Sequence, residues 1–253
     1  MSGLPLIIAH RGASAIAPEN TLAAFSAAID AGVDGIEFDV QLARDGVPVV
    51  IHDTDLRRTA GVSERVADLT SARLGKTDVG SWFAPGFADE SVPTLEQTLH
   101  LLDDFRGLIY IELKCELHNF KPLAAGVCDV IRDSTLLPQI VVKSFRLAAI
   151  PEVRRLLPGV QTAALFEPSI MTILRRREYI IAMAREFGAH QISLHHSLAT
   201  PKLCALAAAA DLPVTVWTVD AAKWLQRCRQ RGIKALITND PAKLIAARNS
   251  ATP

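Results

Sequence analysis

Paired cysteines are missing from this chain. Cys115, Cys128, Cys204 and Cys228 are widely separated and show no C-x-x-C spacing. That excludes a disulfide framework and a thiolate metal knuckle, and it predicts reduced thiols in a cytoplasmic protein. Long apolar runs are missing too. The richest Ala/Leu stretch, residues 203–210, is bounded by Lys202 and Asp211 and followed by Pro213, so no membrane span is expected. The first five residues lack a basic region followed by an apolar stretch and a cleavage site, so no secretory leader is expected. Charge of one sign is not in excess. Lys plus Arg and Asp plus Glu are both 27, which removes any overall pull toward nucleic acid or an anionic membrane. The Arg175-Arg176-Arg177 run reads as a solvated helix face. Finally, no G-x-G-x-x-G turn follows a strand and no serine sits in a G-x-S-x-G elbow. A dinucleotide-binding turn and a serine-hydrolase nucleophile are both excluded.

What is present is a regular alternation. With 253 residues and a hydrophobic fraction of 49%, the chain suits one large domain with a substantial core, spanning 1–253. Apolar strand-like runs are predicted at 6–9, 35–39, 108–113, 140–144, 161–166, 191–194, 213–218 and 234–238. Helices are predicted at 20–31, 94–104, 121–134, 146–157, 169–187, 200–210, 221–230 and 241–247. Eight strands each followed by a helix is the repeat of an α/β fold, the (β/α)8 or TIM barrel. Residues 53–92 interrupt the repeat after strand two as a small insertion on the face where barrel sites form. The insertion carries Trp82, Phe83 and Phe87, which predicts that it is folded and covers one side of the site.

Chemistry concentrates at strand ends. In Ile36-Glu37-Phe38-Asp39-Val40, period-2 alternation puts Glu37 and Asp39 on one face. Two adjacent carboxylates repel one another, and a divalent cation resolves the repulsion. Asp45-Gly46 signals a hairpin. Pairing outward from it sets Leu42 against Val49 and Asp39 near His52, which returns His52 to the site. His10-Arg11 ends strand one, and Glu112-Leu113-Lys114 ends strand three. Glu37, Asp39 and Glu112 make an oxygen-rich set suited to one divalent cation, Mg²⁺ or Ca²⁺. Arg11 and Lys114 supply positive charge for a phosphate, and His10 and His52 can exchange protons near neutral pH.

These stretches carry a resemblance. His10-Arg11-Gly12, Pro18-Glu19-Asn20-Thr21, Glu37-Phe38-Asp39, Asp45-Gly46 through His52-Asp53, Pro93-Thr94-Leu95-Glu96, Ile111-Glu112-Leu113-Lys114, Ser144-Phe145 and Val216-Trp217-Thr218-Val219 follow in order. Together they resemble the glycerophosphodiester phosphodiesterase family, related to the phosphatidylinositol-specific phospholipase C barrels. The resemblance implies metal-dependent hydrolysis of small-molecule glycerophosphodiesters, such as glycerophosphocholine, to sn-glycerol 3-phosphate and an alcohol. It implies Glu37, Asp39 and Glu112 as metal ligands, His10 and His52 as the acid–base pair, Arg11 and Lys114 on the phosphate, and Trp217 on the glycerol side. Two positions depart from the family pattern: Asp220 stands where Asn is frequent, and Asn239 follows Thr238 where Asp is usual. His195-His196 reads as a polar rim pair. The rival readings are a lysophospholipase D-type enzyme, which needs an acyl groove, and a barrel that only binds phosphodiesters.

Overall fold

The computed structural model describes residues 4–115, 119–172 and 176–250. Its strands are β1 (Leu6–His10), β2 (Gly35–Leu42), β3 (Pro48–Val50), β4 (Leu108–Leu113), β5 (Ile140–Ser144), β6 (Gln161–Phe166), β7 (Gln191–His195), β8 (Val214–Trp217) and β9 (Ala235–Thr238). All but β3 run parallel, in the order β1-β2-β4-β5-β6-β7-β8-β9. β9 pairs back to β1 and closes an eight-stranded barrel. Helices lie between the parallel strands, as the alternation predicted. Helix Leu22–Asp30 starts where the Thr21 hydroxyl accepts from the Ala24 N–H, and it buries Ala24, Phe25 and Ala28. Helix Leu95–Leu101 starts with a Thr94/Gln97 capping box.

One predicted helix is corrected. In place of a continuous helix over 169–187 there is a 3-10 turn, Pro168–Thr172, and an α-helix, Glu178–Glu186. The arginine run falls between them and interrupts the apolar period. Arg175 lies outside the described residues, and Arg176 and Arg177 are exposed ahead of the helix instead of on its face.

Strand alternation sorts the barrel interior into layers. Ile8, Tyr110, Val141, Ala163, Ala235 and Ile237 pack together as an apolar plug. The Tyr110 hydroxyl, fully buried, reaches Gln191 at 3.4 Å and Thr215 at 3.5 Å. Two residues further along the same strands, Ile8 gives way to His10, Tyr110 to Glu112, and Val141 to Lys143. The charged layer therefore sits on the plug at the C-terminal strand ends. The opposite strand faces are buried against the helices.

The hairpin after β2 differs from expectation by one residue. Val40 pairs with Val50, Gln41 with Val49 and Leu42 with Pro48. The loop holds three residues, not two: Ala43 N–H donates to Val47 O at 3.0 Å, and Gly46 occupies the left-handed region at φ 78°. A three-residue loop closed by a left-handed glycine shifts the register predicted from a tight Asp-Gly turn. Asp39 O consequently accepts from Ile51 N–H at 2.9 Å, and His52 follows one residue beyond. β1 partners β2 as far as Glu37 and β3 takes over from Val40, so the sheet forks beside Asp39.

Beyond the hairpin, Leu56, Val66, Leu74, Val79 and Val92 pack with Ala43, Val49 and Ile51 in a small core of their own. Trp82 stacks edge-on against Phe83 at 5.8 Å, and Phe83 against Phe87 at 5.7 Å. The insertion is folded, as its aromatics predicted.

Candidate active site

Glu37 and Asp39 on β2 and Glu112 on β4 bring one carboxylate oxygen each within 4.8 Å of one another. Their relative exposures are only 1%, 1% and 6%, so the charges need partners. Lys143 Nζ lies 2.7 Å from Glu37 Oε1 and 3.8 Å from Glu112 Oε2. Lys114 Nζ lies 3.0 Å from Glu112 Oε1 and 3.9 Å from Asp39 Oδ1. Arg11 Nε lies 3.2 Å from Asp39 Oδ2. Asn20 Nδ2 donates to Asp39 Oδ2 at 3.0 Å, and Asn20 Oδ1 accepts from the Asp39 N–H at 3.3 Å.

Three carboxylates thus meet three cationic side chains. Burial pushes the Asp39 carboxyl upward, but Arg11, Lys114, His52 and the Asn20 hydrogen bond together hold the group below its ordinary range. Glu112 goes the other way, pushed up to about 7 by burial and by the neighbouring Asp39. Burial pulls the Lys143 ammonium down, and Glu37 and Glu112 more than restore it. The donor set fits a hard divalent cation: all three candidate ligands offer carboxylate oxygens, and these converge within 4.8 Å of one another.

The two histidines flank this cluster and are held differently. His10 Nδ1 donates to Asn239 Oδ1 at 2.7 Å, while Nε2 lies 3.9 Å from Glu37 Oε2. Burial lowers the His10 pKa; Glu37 opposes the shift and Arg11 adds to it. His52 Nδ1 lies 2.7 Å from Asp53 Oδ1. A carboxylate only accepts, so His52 Nδ1 carries the proton in that bond and Nε2 is left for the site.

Arg11 sits at φ 57° in the turn after β1, with Gly12 next at φ 81°. A Cβ at Gly12 would fall 2.6 Å from Ala24 C and O. Gly12→Ala is expected to cost about 2–4 kcal/mol, from left-handed strain plus displacement of the helix backbone. A urea midpoint matching wild type would show that the turn relaxes freely.

Salt bridges connect the two sides of the site. Arg11 Nη1 donates to Glu19 Oε1 at 2.7 Å. Arg58, from the insertion, donates to Glu19 through Nη1 and Nη2 at 2.8 and 2.7 Å, and through Nε to Asp53 Oδ2 at 2.7 Å. Its guanidinium lies 5.6 Å from the Trp82 ring centroid. Arg58→Ala is expected to leave the melting temperature near wild type, because the pair is solvent-screened. Turnover should fall by about 10- to 100-fold as Asp53 and His52 lose their bearing. Unchanged turnover would mean that Asp53 orients His52 unaided.

A cavity of about 120 Å³ opens on this cluster. Its charged wall comprises His10, Arg11, Glu37, His52, Glu112, Lys114 and Lys143, and its other wall is Phe145, Trp217 and Thr218. Phe145 packs edge-on against Trp217 at 5.5 Å, and His195 backs Trp217 at 5.3 Å, which gives the rim histidine a packing role. The Trp217 indole N–H is buried with no protein partner among the described residues. Trp82, Phe83 and Phe87 are not on this cavity; Trp82 meets Arg58, which in turn binds Asp53 beside His52. A larger cavity of about 740 Å³, beside Arg177 and Pro201, is lined by none of these groups.

All eight residues singled out from sequence therefore line or adjoin one cavity. Lys143, Glu19, Asn20, Asp53, Arg58 and Asn239 were not among them. Lys143 carried a signal, a lone lysine in Ile140-Val141-Val142-Lys143-Ser144 on the inward parity of Val141. Arg58 carried none, and Asn239 stood out only as a departure from the family pattern, because their roles depend on contacts distant in sequence.

Comparison with known proteins agrees with this geometry. Residues 10–243 match the model of the glycerophosphoryl diester phosphodiesterase family. A glycerophosphodiester phosphodiesterase of Caldanaerobacter subterraneus is 31% identical over 240 residues, covering 95% of this chain and 96% of the relative. A phosphodiesterase of Oleispira antarctica, solved with the product sn-glycerol-3-phosphate, superposes with a TM-score of 0.86 at 26% identity and covers 97% of both chains. A glycerophosphodiester phosphodiesterase of Agrobacterium tumefaciens gives a TM-score of 0.80 at 26% identity, covering 97% of this chain and all of the other. With its barrel, its buried carboxylate cluster and this likeness along nearly the whole length, the chain belongs to the glycerophosphoryl diester phosphodiesterase family and is a phosphodiesterase.

Proposed function

We propose that the protein hydrolyses small glycerophosphodiesters, glycerophosphocholine and glycerophosphoethanolamine among them, to sn-glycerol 3-phosphate and the free alcohol. One observation carries the reading: three buried carboxylates, the cations Arg11 and Lys114, and two histidines each held through Nδ1 gather at a cavity of about 120 Å³. Glu37, Asp39 and Glu112 would hold one divalent cation, Mg²⁺ or Ca²⁺. When bound there, it supplies Lewis acidity to a phosphoryl oxygen.

The chain's own groups do the rest. Arg11 and Lys114 receive the phosphate, Arg11 as a planar fork pinned by Glu19 and Lys114 as a point charge. His10, with Nδ1 committed to Asn239, presents the Nε2 lone pair and takes the proton of the attacking oxygen as the new P–O bond forms. His52, with Nδ1 held by Asp53, gives a proton from Nε2 to the departing alkoxide as the old P–O bond breaks. Trp217 lies on the glycerol side, with an unpartnered N–H to offer a hydroxyl.

The small cavity favours a compact diester over an acylated one. No helix among the described residues is long and apolar enough to cross a membrane. The four cysteines are free, which supports the cytoplasm as the place of action. The test is metal-stripped protein given Mg²⁺, Ca²⁺ or Mn²⁺ with glycerophosphocholine and, separately, lysophosphatidylcholine. Release of choline from the first and not the second supports the reading. Preference for the acylated substrate would replace it with a lysophospholipase D-type activity.

A further inference from the structure

The loop after β8 and the end of β9 meet behind His10, outside the cavity. Asp220 Oδ1 accepts from the Thr238 hydroxyl and from the Asn239 N–H, both at 2.8 Å. Asp220 Oδ2 accepts from Asn239 Nδ2 at 3.1 Å. A carboxylate has no proton to give, so only the amide nitrogen of Asn239 can face it. The amide oxygen is thereby turned toward His10 Nδ1, 2.7 Å away. Ser14 Oγ, 3.3 Å from that oxygen, gives its one proton to His10 O at 2.8 Å and so does not hold the amide oxygen in place. Asp220 alone does.

We propose that Asp220 is a positioning residue: acting through Asn239, it locks His10 in the Nδ1–H tautomer and keeps Nε2 free to accept a proton. The role rests on the reading of His10 as the proton acceptor, but the tautomer itself can be observed without any turnover. Asp220→Asn leaves one acceptor oxygen where three donors converge. The Asn239 amide then loses its reason to point outward; once it turns, Nδ2 faces His10 Nδ1 and the ring proton belongs on Nε2. The exchanged pair, Asp220→Asn with Asn239→Asp, restores the pattern. The carboxylate is then at position 239, where it accepts from the new amide at position 220 on one side and from His10 Nδ1 on the other.

The experiment compares wild type, D220N and D220N/N239D by steady-state kinetics on glycerophosphocholine and by two-bond ¹H–¹⁵N correlation of the histidine rings. The His10 signals are assigned by their loss in His10→Gln. D220N is expected to lower kcat by about 100-fold, the scale of a misplaced tautomer at an acid–base histidine, with KM within about twofold. Its His10 nitrogens should take the Nε2–H pattern. The exchanged pair should return the Nδ1–H pattern and recover kcat to within about tenfold of wild type. His10 in the Nδ1–H pattern in D220N overturns the proposal, whatever kcat does, and so does an Nε2–H pattern that the exchanged pair leaves in place. If wild type shows the Nδ1–H pattern and D220N the Nε2–H pattern but neither cleaves the diester, Asp220 keeps its role and the substrate reading is what fails.

Discussion

Excess EDTA is expected to abolish activity while leaving the barrel folded, and Glu112→Gln should lower turnover by about a hundredfold or more. The two halves of this expectation have separate causes. Activity is lost because Glu37, Asp39 and Glu112 converge their oxygens within 4.8 Å, a spacing that favours one bridging cation. The fold persists because each carboxylate also has a resident partner: Lys143 on Glu37 at 2.7 Å, Lys114 on Glu112 at 3.0 Å, and Arg11 with Asn20 on Asp39. Gln at 112 keeps the shape and removes one negative charge, so the loss should appear as a raised cation requirement in add-back titrations. Full activity in excess EDTA would end the metal assignment. Unfolding on chelation, followed by far-UV circular dichroism, would show the ion to be structural.

His10→Ala and His52→Ala should each reduce kcat by about 10²–10⁴-fold, with modest effects on KM. Their mounting separates the two roles. His52 Nδ1 is held by a carboxylate, whereas His10 Nδ1 is held by the neutral Asn239 oxygen, which fixes orientation without adding charge. A diester with a very good leaving group, such as a nitrophenyl ester, needs no protonated exit. It should rescue His52→Ala substantially and His10→Ala hardly at all. Equal rescue of both would argue against separate roles, and rescue of His10→Ala alone would reverse them.

The parts of this site legible in the sequence are those fixed by strand parity. Glu37 and Asp39 share a face because they are two residues apart on β2, and Glu112 adjoins them because β4 pairs Glu112 with Asp39 directly. The hairpin was legible in kind and wrong by one residue in register, because Asp45-Gly46 can close a two- or a three-residue loop with Gly46 left-handed in both, and the bond from Ala43 N–H to Val47 O shows which one forms. His52 survived the error because it lies just past the paired residues, where a shift of one position still leaves it at the cavity. Helix 169–187 failed where three arginines erased the apolar period. Glu19, Arg58, Asp220 and Asn239 were illegible as partners for a different reason. Arg58 and Glu19 are 39 residues apart, and Asp220 and Asn239 are 19. No local pattern records such pairings. The two departures from the family pattern were noticed singly, and only the fold reveals that they touch.

The fork in the sheet beside Asp39 has a consequence for association between molecules. β2 runs past the end of its pairing with β1 by several residues, and without cover Val40–Leu42 would present a bare row of backbone donors and acceptors at the rim. Such an edge templates another chain's strand. The short β3 occupies it instead, and its own outer side is closed in turn, where Val50 N–H donates to Pro93 O at 2.8 Å and Val49 bridges Thr94. The segment that carries His52 into the site is thus also the guard on the forked end of β2, and a lesion that frees β3 would be felt as self-association as well as lost turnover.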